Sequence, residues 1–489
     1  MQRYVIAIDQ STSASKVFLL DAQGLIARRF SKNHRQYYPK PAFVEHDAEE
    51  IWQNVREGVA AACDGLAPEQ LAGLGLSNQR ETTVLWERAS GKPVCPAVVW
   101  QDLRGEALCR ELAPHAGRVT QSTGLALSAY YPAAKAASVL RDQPAIAGRA
   151  RAGELCLGTV DSYLIHRLTG GRVFRTDVSN ASRTALCDIR ALSWDLDLCG
   201  LFGLRAEWLP AITPSDGDFG VTACEGIPAG IPIRGVMGDS HASLFGQGCL
   251  HPGMAKATFG TGSSVMMNVG PTVTASQNGL SASVGFSFRG ETCYVLEGNI
   301  TSSADTLCWL RDEAAMVPDV DSVEAIAASV PSAEGVYLVP AFSGLGAPYF
   351  DGSARAAITG MSRGTTRAHI VRAALESIAY QDADVIDAMR RDAGKALAEL
   401  RVDGGPTKNR LLMQLLSDLL GCGVRCAAHS ELSALGAGYM AGLSTGLYTE
   451  LQAIPAFQET GATYAPAMDA GMREAMLSGW RDAVGRCRR

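Results

Sequence analysis

Residues 235–243 read Gly-Val-Met-Gly-Asp-Ser-His-Ala-Ser, and they stand where an apolar run gives way to small polar residues. The run, residues 231–237, predicts a short buried strand that stops at Gly238 and is followed at once by Asp239. Open α/β sheets hold their ligands at the carboxyl ends of their strands, so Asp239 is our candidate catalytic carboxylate. The alternative is that Asp239 only caps the helix predicted after it.

Two other stretches share one plan of strand, small-residue turn and strand. In residues 4–20 the strands flank the hydroxyl-rich turn 9–15, and in residues 254–269 they flank the Gly- and Ser-containing turn 260–264. We interpret the pair as an internal duplication of half-chains. Backbone N–H groups and hydroxyls of two facing turns could grip a polyphosphate, and Asp9 could face Mg²⁺, which prefers carboxylate and water. Taken alone, the first turn could be an ordinary polar hairpin, and the lone Gly-x-Gly of the second is a weak signal that gains weight from its pairing with the first.

Composition favours a globular enzyme of two domains, because 489 residues are too many for a single core. The formal net charge of −6 offers no basic surface to nucleic acid or anionic lipid. The 13 cysteines form no C-x-x-C pair, and we interpret them as thiols in a reducing cytoplasm. No signal peptide is recognisable, and the uncharged residues 432–449 predict a tightly packed core helix rather than a membrane span.

Polar and aromatic side chains follow other predicted strands. Arg80 and Glu81 come after the apolar residues 71–76, and a guanidinium beside a carboxylate can donate to and accept from the hydroxyls of a polyol. Trp100 could pack on the carbon backbone of a sugar, and Tyr130 could offer its phenol to the same ligand. The plainer alternatives are a surface ion pair and a core tryptophan.

A further glycine-containing segment, residues 400–409, reads Leu-Arg-Val-Asp-Gly-Gly-Pro-Thr-Lys-Asn. The pattern predicts a strand, a Gly-Gly turn and the start of a helix. Backbone can approach a nucleotide closely at such a turn, because the first N–H groups of the helix are free.

These motifs, in this order, resemble the FGGY family of carbohydrate kinases and, within it, the glycerol kinases. The resemblance runs from about residue 4 to residue 480, and it is carried by residues 7–10, 38–41, 44–47, 77–83, 99–102, 177–184, 244–248, 344–349, 363–381 and 402–405. It implies an α/β fold of two actin/hexokinase-like (ribonuclease H-like) domains, residues 1–249 and 250–489, with a nucleotide and substrate cleft between them. It also implies ATP and Mg²⁺ as cofactors, a small polyol or sugar as substrate and, by analogy alone, a homodimer.

The resemblance further assigns roles to residues that match its motifs. Asp239 matches the general base, which takes the proton of a primary hydroxyl as the P–O bond forms. It would also lie at the metal together with Asp9. The polyol contacts are then Arg80, Glu81, Trp100, Tyr130, Asp239, Ser240 and Ser264. Thr12, Ser13 and Lys16 fall on the first phosphate hairpin, Thr261 and Gly262 on the second, and Gly405 and Asn409 on the nucleotide loop.

Two departures bear on the substrate. Ser240 stands where glycerol kinases have Gln, and Ser264 stands where they place a Phe against the substrate carbons. Both changes remove bulk, so we expect a four- or five-carbon polyol or ketose, such as a tetritol, a tetrulose or xylulose, with glycerol as the alternative. Two further alternatives are an actin- or chaperone-type ATPase without a sugar substrate, and a catalytically silent sugar-binding regulator.

Overall fold

The computed structural model describes residues 2–488, in an α/β arrangement. Each half of the chain has a central sheet, called the first and the second sheet below, and the N-terminal half has a further five-stranded sheet. The strands of the N-terminal half (residues 2–249) are β1 (Tyr4–Gln10), β2 (Ala14–Leu20), β3 (Ile26–Asn33), β4 (Gln36–Tyr37), β5 (Glu45–His46), β6 (Leu71–Asn78), β7 (Thr83–Glu87), β8 (Ala97–Val98), β9 (Leu155–Thr159), β10 (Arg175–Asp177), β11 (Cys187–Asp188), β12 (Ser193–Trp194), β13 (Ala211–Thr213) and β14 (Ile233–Gly238). Those of the C-terminal half (residues 250–488) are β15 (Met254–Phe259), β16 (Ser263–Gly270), β17 (Ser281–Phe288), β18 (Glu291–Ile300), β19 (Tyr337–Val339), β20 (Ala357–Thr359), β21 (Glu399–Gly404), β22 (Val424–Ala427) and β23 (Thr460–Tyr464).

Helices cover the faces of these sheets. The N-terminal half contains α1 (Ala48–Cys63), α2 (Glu106–Glu111), α3 (Ala116–Thr123), α4 (Pro132–Asp142), α5 (Pro144–Arg151), α6 (Val160–Leu168), α7 (Val178–Ala181), α8 (Leu196–Leu201) and α9 (Asp239–Gly246). The C-terminal half contains α10 (Asp305–Asp312), α11 (Val323–Ala328), α12 (Arg367–Ala393), α13 (Arg410–Leu420), α14 (Leu432–Ser444), α15 (Pro455–Gln458) and α16 (Ala470–Cys487). Within residues 2–488 no helix is long and apolar enough to cross a membrane.

The first sheet has the strand order β14-β6-β1-β2-β3, in which β14, β6 and β1 are parallel and β1 and β2 form an antiparallel hairpin. Alternate residues of β1 point to opposite faces, so Ile6 and Ile8 join a core with α1 while Ala7 joins a different core with α14. Both faces are therefore covered, which explains why the strand reads as a continuous apolar run. The predicted strand–turn–strand of residues 4–20 is confirmed.

The second sheet has the order β17-β18-β16-β15-β21-β22-β23 and repeats that plan. β15 and β16 form an antiparallel hairpin, and β15 lies parallel to β21 as β1 lies parallel to β6. The predicted second strand–turn–strand and its likeness to the first are confirmed by this topology. The boundary predicted between residues 249 and 250 falls between α9 and β15, and it stays a prediction.

The two sheets share a core that contains α9 and α14. Ala7 and Phe18 come from the first sheet, and Met266 and Val295 from the second. The two helices touch backbone to backbone, since a Cβ added at Gly436 would lie 1.9 Å from the carbonyl oxygen of Ala242. The predicted core helix at residues 432–449 is thus confirmed, although α14 ends at Ser444.

Candidate functional site

Two carboxylates lie at one edge of the first sheet. β14, β6 and β1 run parallel, and their register sets Gly238 beside Asn78 and Asn78 beside Gln10. Asp239 follows β14 directly, and Asp9 is the penultimate residue of β1. Burial, and after it the nearby charge of Asp239, raises the pKa of Asp9 to about 7. A cation at this edge would relieve the repulsion between the two carboxylates.

The Asp239 carboxylate occupies the first turn of α9. The N-cap residue is Gly238 and no side chain caps this helix, so the capping alternative for Asp239 is wrong. The Asp239 Oδ1 atom accepts hydrogen bonds from Arg80 Nε at 3.1 Å and from the Ser240 backbone N–H at 2.6 Å. The side chain remains 36% exposed, so it is accessible to a substrate.

Arg80 and Glu81 belong to a buried network of charges, so the surface-pair alternative is wrong. Arg80 donates to both carboxylate oxygens of Glu297, through Nη1 at 2.9 Å and Nη2 at 2.7 Å. Arg183 pairs with Glu81 at 2.6 Å and with the same Glu297 at 3.0 Å. Burial alone would raise the pKa of Glu297, but Arg80 and Arg183 outweigh burial and hold this pKa well below its usual range.

The backbone at Glu81 has φ of 60°, in the left-handed region that residues other than Gly and Asn seldom adopt. Such strain persists where the surroundings hold a side chain in place, and it concentrates at functional sites. Here the held group is the Glu81 carboxylate, which is 2% exposed and bonded to Arg183.

Trp100 and Tyr130 form an aromatic wall in the N-terminal half. Their ring centroids are 5.9 Å apart in an edge-to-face arrangement. Trp100 is half-buried, and its Nε1 atom donates to Thr12 Oγ1 at 2.9 Å, which ties this wall to the first hairpin. Lys135, which is fully buried, donates from Nζ to the carbonyl oxygens of Ala129 and Tyr130 and so anchors the Tyr130 loop.

Ser240 and Ser264, which stand in place of Gln and Phe, both form hydrogen bonds with the buried network of charges. Arg80 Nη2 donates to Ser240 Oγ at 3.2 Å, and Ser264 Oγ donates to Glu297 Oε1 at 3.3 Å. Their hydroxyls therefore act as short partners of Arg80 and Glu297.

The turn of the first hairpin is closed by Ser11, whose backbone N–H donates to the carbonyl oxygen of Ala14 at 2.9 Å. Thr12 and Ser13 form the rest of this turn, and Ser13 is exposed. Lys16, on β2, donates to Glu431 at 2.9 Å, just before α14. This ion pair joins the first hairpin to the C-terminal half.

The second hairpin and the nucleotide loop lie side by side, because Phe259 pairs with Gly404 across β15 and β21. Gly262, in the second turn, passes so close to β18 that an added Cβ would lie 2.2 Å from the carbonyl oxygen of Ile300. Thr261 and Gly405 are exposed, so both are accessible to a ligand. Asn409 caps α13 by accepting the Leu412 N–H at 2.9 Å, which leaves its amide nitrogen for other partners.

Sequence reasoning missed Arg183, Glu297 and Lys135. Arg183 stands inside residues 177–184, which carried the resemblance without a role for this side chain. Glu297 follows Val295 and Leu296 in an apolar strand, and a carboxylate there is a signal of a buried ion pair. The pairing itself was not readable, because Arg80, Arg183 and Glu297 are far apart in the chain.

Comparison with known proteins places the chain in a family. Residues 4–246 match the N-terminal domain of the FGGY family of carbohydrate kinases, and residues 255–445 match its C-terminal domain. A glycerol kinase of Dechloromonas aromatica (strain RCB) is 46% identical over 488 residues, covering 99% of this chain and 97% of that protein. Glycerol kinase 1 of Thermotoga maritima is 44% identical, with 98% and 99% covered.

Solved structures agree with this placement. The crystal structure of Plasmodium falciparum glycerol kinase with ADP superposes with a TM-score of 0.95 at 34% identity, covering 99% of this chain and 98% of that one. Xylulose kinase from Rhodospirillum rubrum has a TM-score of 0.88 at 22% identity over 99% of both chains, which shows the shared fold alone.

The chain belongs to the FGGY family of carbohydrate kinases, with the two-domain, actin/hexokinase-like fold of that family. It is accordingly an ATP-dependent phosphotransferase with an alcohol group as acceptor, which sets aside the sugar-independent ATPase and the silent regulator. The comparisons do not support the expected preference for tetritols or pentuloses, and they favour the glycerol alternative.

Proposed function

We propose that this kinase transfers the γ-phosphoryl group of ATP to a primary hydroxyl of glycerol, giving glycerol 3-phosphate. The observation that supports an acceptor site is the Asp239 carboxylate held beside Arg80 at the sheet edge. Glycerol is the first candidate because relatives 43–46% identical over nearly the full chain carry the name glycerol kinase.

In the proposed reaction Asp239 is the general base. A primary alcohol is a poor nucleophile, and a carboxylate within hydrogen-bond reach can take its proton as the new P–O bond forms. Arg80 gives Asp239 only its Nε, because its two terminal nitrogens bond to Glu297. The Asp239 carboxylate thus keeps lone pairs free for the acceptor hydroxyl.

The remaining acceptor contacts fit a short polyol. Arg80 and Glu81 would bond its other hydroxyls, and the aromatic wall of Trp100 and Tyr130 would cover its carbons. Exclusion of water by this wall would favour transfer to the alcohol over hydrolysis of ATP.

We assign the phosphate groups of ATP to the two hairpins. Thr12, Ser13 and Lys16 of the first hairpin and Thr261 and Gly262 of the second would offer hydroxyl, ammonium and backbone N–H donors. The loop at Gly405 and Asn409 would then contact the nucleoside.

Mg²⁺ fits the carboxylate pair Asp9 and Asp239. Among residues 2–488 no group of three or more His, Cys, Asp or Glu side chains could hold a metal by itself. Mg²⁺ usually binds one or two carboxylates and completes its coordination shell with water and substrate phosphates. When bound, it would neutralise charge on the transferred phosphoryl group. The raised pKa of Asp9 would fall when the cation binds.

A four- or five-carbon acceptor is the second candidate, and the short side chains Ser240 and Ser264 favour it. A pocket without the Gln and Phe of glycerol kinases has room for further hydroxylated carbons. If those serines set the acceptor, Ser264→Phe should shift preference towards glycerol, and an unchanged preference would count against this candidate.

A coupled assay of ADP release with glycerol, erythritol, erythrulose, xylulose and no acceptor tests both candidates. We expect kcat/KM to be highest for glycerol and turnover to be low without an acceptor. Preference for erythritol or a ketose would replace glycerol by the second candidate, and turnover independent of any acceptor would refute both.

We further propose a homodimer in the cytoplasm. The dimer rests on family analogy and light scattering tests it. All 13 cysteines have free thiols, which suits a reducing compartment. Fractionation of the source cells tests the location.

A further inference from the structure

Glu297 reaches the acceptor site from the other half of the chain. It lies on β18 of the second sheet, and its side chain is 0% exposed. Its carboxylate accepts hydrogen bonds from two nitrogens of Arg80 and forms an ion pair with Arg183 Nη1 at 3.0 Å. Arg80, Glu81 and Arg183, in contrast, all come from the N-terminal half. Ser264, on β16 beside β18, adds a third hydrogen-bond donor, and this one comes from the C-terminal half.

The network needs this carboxylate. Two guanidinium groups are buried within bonding distance of one Glu297, and like charges this close repel unless an acid lies between them. Glu81 forms an ion pair with Arg183 and none with Arg80. If Glu297 were absent, Asp239 would therefore be the carboxylate left to pair with the terminal nitrogens of Arg80. Arg80 would then turn from the polyol towards Asp239.

We propose that Glu297 is a positioning residue, which sets Arg80 for the acceptor and makes acceptor binding depend on docking of the C-terminal half against the N-terminal half. Arg183 supports it through its ion pair with Glu297 and through its hydrogen bond to Glu81. The inference rests on the proposed function, because it concerns the acceptor site of that reaction.

The test is Glu297→Asp, which keeps the charge but withdraws the carboxylate by one methylene group. Arg80 should follow it, and a misplacement of about 1 Å can lower catalytic efficiency by about 10²-fold. We expect the KM of the acceptor to rise by about tenfold or more, while the KM of ATP changes by less than about twofold.

The matched control is Glu376→Asp. Glu376 is also a buried carboxylate in the C-terminal half, and it bonds to Arg372 at 2.6 Å within α12, outside the acceptor network. We expect a comparable loss of thermal stability from this variant without a change in acceptor KM. Glu297→Gln is a more severe change, because it removes the negative charge. If the turnover of this variant is too low to measure, calorimetry can follow acceptor binding in the absence of ATP.

Equal acceptor KM in wild type and Glu297→Asp would overturn the proposal, as would equal increases in the KM of acceptor and ATP, which a purely structural role predicts. Wild-type enzyme that phosphorylates no polyol or ketose would instead refute the proposed function. The two failures are therefore distinguishable in one data set.

Discussion

Replacing Asp239 by Asn should abolish most turnover while leaving the site assembled. The amide keeps an Oδ1 acceptor for Arg80 Nε and the Ser240 N–H, and Glu297 still holds the terminal nitrogens of Arg80. What is lost is the proton acceptor. General-base catalysis is typically worth about 10²–10⁴-fold, so kcat should fall by that factor, or by about 3–5 kcal/mol in activation free energy.

The structure also predicts what Asp239→Asn leaves unchanged. The carboxylate is 36% exposed and takes one nitrogen of Arg80, so its ion pair should contribute less than about 1 kcal/mol to folding. Acceptor KM and Tm should therefore stay close to wild type. The KM of Mg²⁺-ATP should rise, because Asp239 is also one of the two carboxylates proposed to hold Mg²⁺.

Steady-state ADP release, with thermal unfolding on the same preparations, checks these expectations. Turnover within about tenfold of wild type would remove Asp239 from the role of base. A large fall in Tm would show that the carboxylate stabilises the fold instead.

Three further predictions concern the nucleotide loop, the aromatic wall and a buried carboxyl group of α12. Gly404→Ala should weaken folding and ATP binding, because its φ is 103° and a Cβ would lie 2.0 Å from the carbonyl oxygen of Phe259; urea unfolding and ATP KM measure this. Trp100→Phe keeps a ring but loses the bond to Thr12, so acceptor kcat/KM should fall by about threefold to tenfold. Burial raises the pKa of Asp384 from 3.8 to about 6, so the folded chain binds this proton more tightly than the unfolded chain does. Proton binding therefore stabilises the fold at low pH, and this stabilisation is lost as the pH rises from about 4 to 6. The Asp384→Asn side chain does not titrate. Between pH 4 and pH 7 the free energy of unfolding of this variant, measured by chemical unfolding, should therefore rise relative to wild type by up to about 3 kcal/mol.

Each of these predictions has a contrary outcome. Gly405→Ala is the control for Gly404, since a Cβ there meets nothing within 4 Å, and equal destabilisation of both would refute the clash. An acceptor kcat/KM unaffected by Trp100→Phe would show that the bond to Thr12 is dispensable. A stability difference between Asp384→Asn and wild type that is constant with pH would show that this carboxyl does not titrate with folding.

The sequence is most informative where a candidate site residue follows directly after a strand. Asp9, Arg80 and Asp239 each come at or just beyond an apolar run, so the rule that ligands bind at strand ends was enough to select them. The repeated hairpin plan was readable for the same reason, because both copies are contiguous in the chain.

Partners from distant segments could not be read in this way. Glu297 contacts residues that precede it by more than a hundred positions, and no local pattern encodes such a pairing. The expected preference for a four- or five-carbon acceptor is not supported by the comparisons. It rests on the absence of Gln and Phe, and the hydrogen bonds of Ser240 with Arg80 and of Ser264 with Glu297 cannot be read from the sequence.

The shared core between the sheets has a consequence for synthesis of the protein. The first sheet is complete once Gly238 has left the ribosome, yet one of its faces waits for α14, which begins at Leu432. Until then Phe18 and its apolar neighbours on that face lack their native cover, as they would in a fragment cut at residue 249. The nascent chain should therefore depend on chaperones, and the isolated fragment that ends at residue 249 should bind a hydrophobic dye. The fragments on either side of this cut should regain enzyme activity only when they are refolded together.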